Sequence, residues 1–346
     1  MHADVVVIGA GQAGLSAAHH LQRAGADFVV LDADAAPGGA WQHRWDSLRL
    51  ERANGIADLP GLPLTGDPEE KASVVLARYF AEYERHFALP VRRPVAVRRV
   101  TRTDDGFALG TTAGPWTARG LVNATGTWTR PFWPAYPGRE TFGGQQLHAA
   151  QYPGAAAFAG QHVLVVGGGI SALQLLLEIA EVTRTTWVTR RPPVWRSTDF
   201  DPDAGRAAVA LVDERVRAGL PPGSVVSVTG LPVTPEVLRG RERGLLDPLP
   251  AFARMTPTGV AWDDPARSLD VDVVLWATGF RAALDHLAPL HLRAPGGGIA
   301  VEGTRVVGEP RLHLVGYGPS ASTIGANRAG RTAVRELLTT LGTAAA

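Results

Sequence analysis

The residues in this chain with the clearest capacity for chemistry are glycines. Gly9-Ala10-Gly11-Gln12-Ala13-Gly14 follows the β-branched run Asp4–Ile8 and opens a segment with helical apolar spacing at Leu15, Ala18 and Leu21. Each glycine has a task in such a pattern: Gly9 makes a tight turn, Gly11 lets a backbone approach a pyrophosphate, and Gly14 lets helix and strand pack closely. The helix N-terminus offers unpaired N–H groups and a positive dipole end to phosphates. Asp32 lies eighteen residues after Gly14, at the end of the next strand, Phe28–Leu31. An acid there accepts hydrogen bonds from ribose hydroxyls.

The same layout returns 158 residues later. His162–Val166 reads as a strand and Gly167-Gly168-Gly169-Ile170-Ser171-Ala172 as a second cradle, with Ala at the third position. Ile170 to Val182 reads as a helix and Thr185–Thr189 as a strand. Arg190 and Arg191 stand where the first unit has Asp32. Arginines there favour a 2′-phosphate through charge-assisted, bidentate bonds, so NADPH is expected over NADH. A further turn, Pro37-Gly38-Gly39-Ala40-Trp41, follows the second strand. Its glycines keep backbone near a cofactor, and Trp41 either covers the redox ring or belongs to the core. Two Ala-Thr-Gly turns, Ala124-Thr125-Gly126 and Ala277-Thr278-Gly279, follow strands and read as crossings between domains.

The elements that must position these turns alternate strand and helix. The expected class is α/β, with two Rossmann-like dinucleotide-binding domains, the second inserted in the first: residues 1–155 and 270–346, and 156–269. Asp67–Phe87 reads as a helix with Asp67 as cap, Pro68 at its first position and Glu70 completing a capping box. Its aromatic stripe, Tyr79, Phe80, Tyr83 and Phe87, reads as core. Residues 93–125 read as short strands, and 192–265 carry little pattern. Val271–Trp276 and Arg311–Val315 read as strands, and Gly325–Leu341 as a last helix.

Composition narrows the function. The chain has 346 residues, enough for two cores, and its net charge near +1 gives no reason to expect nucleic acid or an anionic membrane as partner. It has no cysteine, which excludes disulfides, thiolate metal sites and a redox dithiol. No metal site is expected. The most apolar stretch, Val163–Ala180, is broken by three glycines, Gln174 and Glu178, and does not read as a membrane span. Asp4 precedes the first apolar run without a cationic segment, so a secretory leader is not expected and the cytoplasm is the default location. Oligomeric state stays open, a homodimer included.

A fifth motif, Phe142-x-Gly144-x-x-x-His148-x-x-x-Tyr152, lies just before the second cradle. With it the chain resembles the class B flavoprotein monooxygenases, the flavin-containing and Baeyer–Villiger group, in which such a motif separates FAD and NADP fingerprints. The order of the motifs matches over nearly the whole chain. The tail Val315-Gly316-Tyr317-Gly318 … Ser322-Thr323-Ile324-Gly325-Ala326-Asn327-Arg328 is similar to the family's last FAD-contacting turn and helix. The resemblance implies FAD in the first cradle, with Thr323 and Ile324 beside it. It also implies NADPH in the second cradle, dioxygen as co-substrate, and transfer of one oxygen atom from a flavin C4a-hydroperoxide to a small molecule. Tyr152 stands where Baeyer–Villiger enzymes usually carry Trp, which tilts the expectation towards sulfides or amines. Asn54 lies near the place of an Asn that supports the oxygenated flavin in some members. His148 is expected to act in proton transfer or, on the family's pattern, as a conformational residue. An NAD(P)H-flavin electron-transfer reductase and a non-catalytic NADPH sensor need the same nucleotide sites and remain alternatives.

Overall fold

The computed structural model describes residues 1–53, 55–196, 202–223 and 230–343, with the side chains of 202–208 and 324 excepted. Asn54 lies outside the described residues. In chain order the first unit contributes β1 (His2–Ile8), α1 (Gln12–Arg23), β2 (Phe28–Leu31), α2 (Ala72–His86), β3 (Val91–Arg92), β4 (Val97–Thr103), β5 (Gly106–Thr111) and β6 (Gly114–Asn123). Then come β7 (Gln145–His148), β8 (Val163–Val166), α3 (Ile170–Ile179), β9 (Thr185–Thr189), α4 (Pro202–Arg217), α5 (Pro235–Glu242) and β10 (Leu249–Pro250). They are followed by β11 (Arg254–Thr256), β12 (Gly259–Asp263), β13 (Ala266–Asp270) and β14 (Val273–Trp276). The chain ends with β15 (Val301–Glu302), β16 (Arg305–Val306), β17 (Glu309–Leu314) and α6 (Thr323–Leu341).

Two compact units result. The first comprises 1–127, 209–223 and 282–346, and the second 128–208 and 224–281. Relative to the expected division, 128–155 and 270–281 go with the second unit. Residues 209–223 depart the other way. Val216 is fully buried in the first unit's core, and the amide of Gly298 donates to the Gly219 carbonyl at 3.0 Å.

The first unit is built on a nine-stranded sheet in the order β15-β16-β17-β6-β1-β2-β3, with β5 pairing β6 and β4 pairing β5. β17, β6, β1, β2 and β3 run parallel. β1 and β2 are buried on both faces, Val5, Val7 and Val30 against the helices and Val6, Ile8, Val29 and Leu31 against Val100, Phe107, Leu109 and Trp116 of β4–β6, which is why they read as Val and Leu runs rather than alternating ones. α1 and α6 cover one face. They approach closely at Gly330, where an added Cβ would lie 2.7 Å from Ser16 Oγ and 3.0 Å from the Ala17 nitrogen. The second unit has a five-stranded parallel sheet, β10-β9-β8-β14-β7. α3 presents Leu173, Leu175, Leu176 and Ile179 to its core, and a three-stranded antiparallel sheet, β11-β12-β13, contributes Met255, Val260 and Trp262 to a second cluster.

The expected helix over 67–87 starts later, at Ala72. Residues 68–71 are drawn into pairing with 48–51 instead: Leu50 and Glu51 donate to the carbonyls of Glu70 and Pro68, and Ala72 donates to Leu48. Asp67 still acts locally, accepting from the Glu69 amide at 2.9 Å, but it caps a turn rather than the helix. Glu70 is used by Arg78, which reaches it with both terminal nitrogens at 3.1 and 2.9 Å. The weakly patterned 192–265 contains α4, α5 and the hairpin β11–β12, which sequence periodicity did not mark. Among the described residues no helix is long and apolar enough to cross a membrane, and no cluster of ligating side chains could hold a metal ion.

Candidate functional site

Both cradles are built the same way, and the glycines in each divide into two kinds. Gly9 sits at φ +100, and an added Cβ would lie 2.7 Å from the carbonyl oxygen of Ala124. Gly14 is closed more firmly, because its Cβ would lie 1.9 Å from the Gly9 oxygen. These two are required by packing alone. Gly11 is different, since its Cβ would meet only the Cα of Gly39, at 3.9 Å, and otherwise faces open space. In the second cradle Gly167 (φ +148) backs onto Ala277, whose oxygen would lie 2.3 Å from an added Cβ, while Gly169 has nothing within 4 Å. Ala172 fits at the third position and is fully buried, so α3 tolerates a methyl where α1 does not. Ser171 is half-buried in the first turn of α3.

The two Ala-Thr-Gly turns thus have a defined place. Each follows a strand adjacent to the cradle strand, β6 beside β1 and β14 beside β8, and each supplies the carbonyl against which the cradle's first glycine closes. Gly126 and Gly279 have no atom within 4 Å of an added Cβ. Both turns are anchored by a buried histidine. In the second, His148 is fully buried: its Nδ1 accepts from the Ala150 amide at 3.1 Å, so its Nε2 carries the proton and donates to the Gly279 carbonyl at 3.0 Å. Burial holds its pKa below the ordinary value. Both ring nitrogens are engaged, and the ring packs edge-on to Phe280. This arrangement positions the turn. In the first turn Asn123 donates to Thr125 Oγ1 at 3.1 Å and accepts from His286 Nε2 at 2.7 Å. Burial pushes His286 down to about 4, so it stays neutral. Sequence reading missed His286, because nothing local links it to residue 123.

The rest of the linker motif is also anchoring. The ring of Phe142 lies where a side chain at Gly144 would be, 2.4 Å from an added Cβ, and Tyr152 donates to Glu178 on α3 at 2.9 Å.

On the first cradle's outer wall, Gly39 (φ +50) approaches Gly11 so closely that an added Cβ would lie 2.8 Å from the Gly11 Cα. Trp41 is half-buried, packs against the α1-side core, and carries the Arg44 guanidinium 5.3 Å from its ring centre. Ala13 is buried, 3.4 Å from an added Cβ at Gly316. Gln12 donates through Nε2 to the Ala57 carbonyl and to Asn327 Oδ1, both at 3.1 Å. The Thr323 hydroxyl accepts from the Ala57 amide at 3.0 Å and donates to the Gly55 carbonyl, and Asn327 donates to Asp58 at 2.6 Å. The N-terminal turn of α6, which Ile324 shares, is therefore laced to residues 55–58; the Ile324 side chain lies outside the described ones. Asp32 is buried at the end of β2. Arg190 and Arg191 are exposed immediately after β9. Arg190 lies close enough to Tyr136 for its charge to act on that phenol, whose pKa burial raises.

A duplicated strand–turn–helix with open space at the middle or last glycine fits two dinucleotides. This defines a two-dinucleotide oxidoreductase of the flavoprotein class. A family model, pyridine nucleotide-disulphide oxidoreductase, matches residues 6–218, and the chain belongs to that family. It has the family's fold without a cysteine for dithiol chemistry. Within it, the chain is similar to a flavin-containing monooxygenase from Stenotrophomonas maltophilia: 40% identical, covering 98% of this chain and 99% of that one, with a TM-score of 0.84. The chain is thus a member of the flavin-containing monooxygenase group. A steroid monooxygenase bound to NADP shares the fold at 18% identity, over 99% of this chain and 85% of that one, with a TM-score of 0.64. Among curated relatives, an uncharacterized oxidoreductase, CzcO, of Bacillus velezensis is 32% identical over 56% of this chain and 56% of its own length. The matched stretch thus spans about half of that relative.

The two kinds of glycine give a contrast. Gly14→Ala should cost about 3 kcal/mol or more in stability, because backbone must move. Gly11→Val should leave the melting temperature of the cofactor-free protein within a few degrees and abolish FAD retention. Parallel thermal melts and flavin absorbance check both. Equal destabilisation by the two substitutions would contradict the assignment of Gly11 to the ligand.

Proposed function

We propose that this chain is an FAD-dependent, NADPH-driven monooxygenase that inserts one oxygen atom from dioxygen into a small soft nucleophile, a sulfide or an amine. The observation that carries the reading is the pair of equivalent cradles, each closed behind by an Ala-Thr-Gly turn and open in front. The likeness to a flavin-containing monooxygenase over the full chain supports it.

In this reading Gly9, Gly11, Gln12, Ala13, Gly14, Asp32, Gly39, Trp41, Ala124, Thr125, Gly126, Thr323 and Ile324 belong to the FAD site. Gly167, Gly169, Ser171, Ala172, Arg190, Arg191, Ala277, Thr278 and Gly279 belong to the NADPH site. When bound, NADPH supplies hydride and FAD the redox and dioxygen-activating chemistry. The chain's own contributions are binding, orientation and exclusion of water. Gly11 and Gly169 admit the pyrophosphates to helix N-termini. Gln12, Thr323 and Asn327 fix residues 55–58 beside α6, so that the wall they form is held by hydrogen bonds rather than by loop conformation alone. His148 holds the Gly279 carbonyl and with it the second turn. A soft nucleophile needs no base to attack an electrophilic oxygen, and the neutral, engaged state of both turn histidines suits such a reaction. Asn54 is proposed to support the oxygen-activating step.

NADPH added anaerobically should bleach the flavin absorbance. Oxygen admitted with a dialkyl sulfide should then give sulfoxide in a ratio to NADPH close to one. Hydrogen peroxide without sulfoxide would favour the electron-transfer reductase, and no bleaching would favour the sensor. Arg190→Ala with Arg191→Ala should raise the KM for NADPH by about tenfold or more, the loss of one or two charge-assisted hydrogen bonds, and leave that for NADH unchanged. Equal use of NADPH before and after would remove those arginines from the site.

A further inference from the structure

Asp32 does not stand alone at the end of β2. Its Oδ2 accepts from Arg93 Nε at 2.7 Å, and both terminal nitrogens of Arg93 reach Glu84 on α2 at 2.6 Å. The three side chains are only 8%, 11% and 12% exposed for Asp32, Arg93 and Glu84. They form a buried line of charge, negative, positive, negative. The geometry is asymmetric. Arg93 gives a single N–H to Asp32 and its full fork to Glu84. A carboxylate can accept about four hydrogen bonds, so Asp32 keeps acceptor capacity for a ligand while Glu84 is committed to the arginine. Glu84 also borders an open cavity of about 540 Å³ lined by Pro37, Ala81, Arg85, Leu89 and Val91.

We propose that Arg93 is a positioning residue for the flavin cofactor: it keeps Asp32 ionised and oriented for the ribose, and Glu84 sets how strongly it does so. The inference rests on the reading of the first cradle as the FAD site. A buried carboxylate left without a cation would take up a proton and lose its acceptor role. Burial does push Asp32 above the ordinary carboxylate value, and Arg93 opposes that. The other groups that face Asp32 are few. The Ala10 amide donates to it, and Asp34 adds negative charge while itself bonded to His43 Nε2 and Gln42 Nε2, each at 3.1 Å. Among the described residues Arg93 is the cation that acts on it. Charge two steps away has a defined sign: Glu84 weakens the positive field Arg93 exerts on Asp32.

The sign separates this role from mere scaffolding. FAD binding needs ionised Asp32, so FAD is retained above the pKa of Asp32 and released as pH falls through it. Removing the cation raises that pKa, and removing Glu84 lowers it. The test is release of FAD from the holoprotein across pH, followed by flavin fluorescence, for the native chain, Arg93→Gln and Glu84→Gln. In Arg93→Gln the release midpoint should rise by about one pH unit or more. In Glu84→Gln it should fall. In an Asp32→Asn background, Arg93→Gln should leave the profile unchanged. Shifts in the same direction for both single variants, or no shift in Arg93→Gln, would overturn the inference. If Arg93→Gln fails to fold, Glu84→Gln decides: a midpoint unchanged or moved to higher pH overturns the inference, and one moved to lower pH sustains it. A native chain that retains no FAD at any pH refutes instead the reading on which this one rests.

Discussion

The structure depends on how closely a helix can start behind the end of a strand. At Gly14 the carbonyl oxygen of Gly9 occupies the place of a side chain, and at Gly9 the carbonyl of Ala124 does the same. Three backbone segments therefore meet with no side chain between them. This contact sets the start of α1, the end of β1 and the turn after β6 at once. The free N–H groups of α1's first turn are brought to the open side of the sheet as a consequence. The second unit repeats the constraint with Gly167 and Ala277, and relaxes it by a methyl at Ala172. Duplication of a steric requirement is a stronger sign of a shared ligand type than duplication of composition.

Around that contact the polar groups are arranged so that each turn is held without a net charge in it. The histidines behind the two Ala-Thr-Gly turns are buried and kept neutral, and their tautomers are set by the groups they bond. The buried charge at the end of β2 is paired, in Asp32, Arg93 and Glu84. A buried pair of this kind adds little to stability on its own account, since desolvation offsets attraction. Its presence at the end of β2 is better explained by what an ionised acceptor there can bind.

The sequence told much about the cradles because their requirements are local. Gly9, Gly11 and Gly14, the β1 and β2 runs, and the order of strand and helix all follow from neighbours in the chain, and the structure has them where expected. The start of α2 was not legible: Asp67, Pro68 and Glu70 form a good local cap, and a long-range pairing with 48–51 overrides it. Arg93 and Glu84 were hidden for the same reason, lying 61 and 52 positions from Asp32 with no periodicity to join them. The migration of 209–223 into the first unit depends on Val216 entering its core beside Gly318 and on Gly219 accepting from Gly298, which a weakly patterned segment cannot announce. Linker residues Phe142, His148 and Tyr152 could be found by spacing, while their anchoring role needed the contacts to Gly144, Gly279 and Glu178.

Native mass spectrometry of the freshly purified protein, before and after addition of NADP+, addresses the claim of two separate cradles most directly. One FAD per chain at the outset and one NADP+ added without loss of FAD is the expected result. A chain that carries no flavin, or one from which NADP+ displaces FAD, would contradict the account.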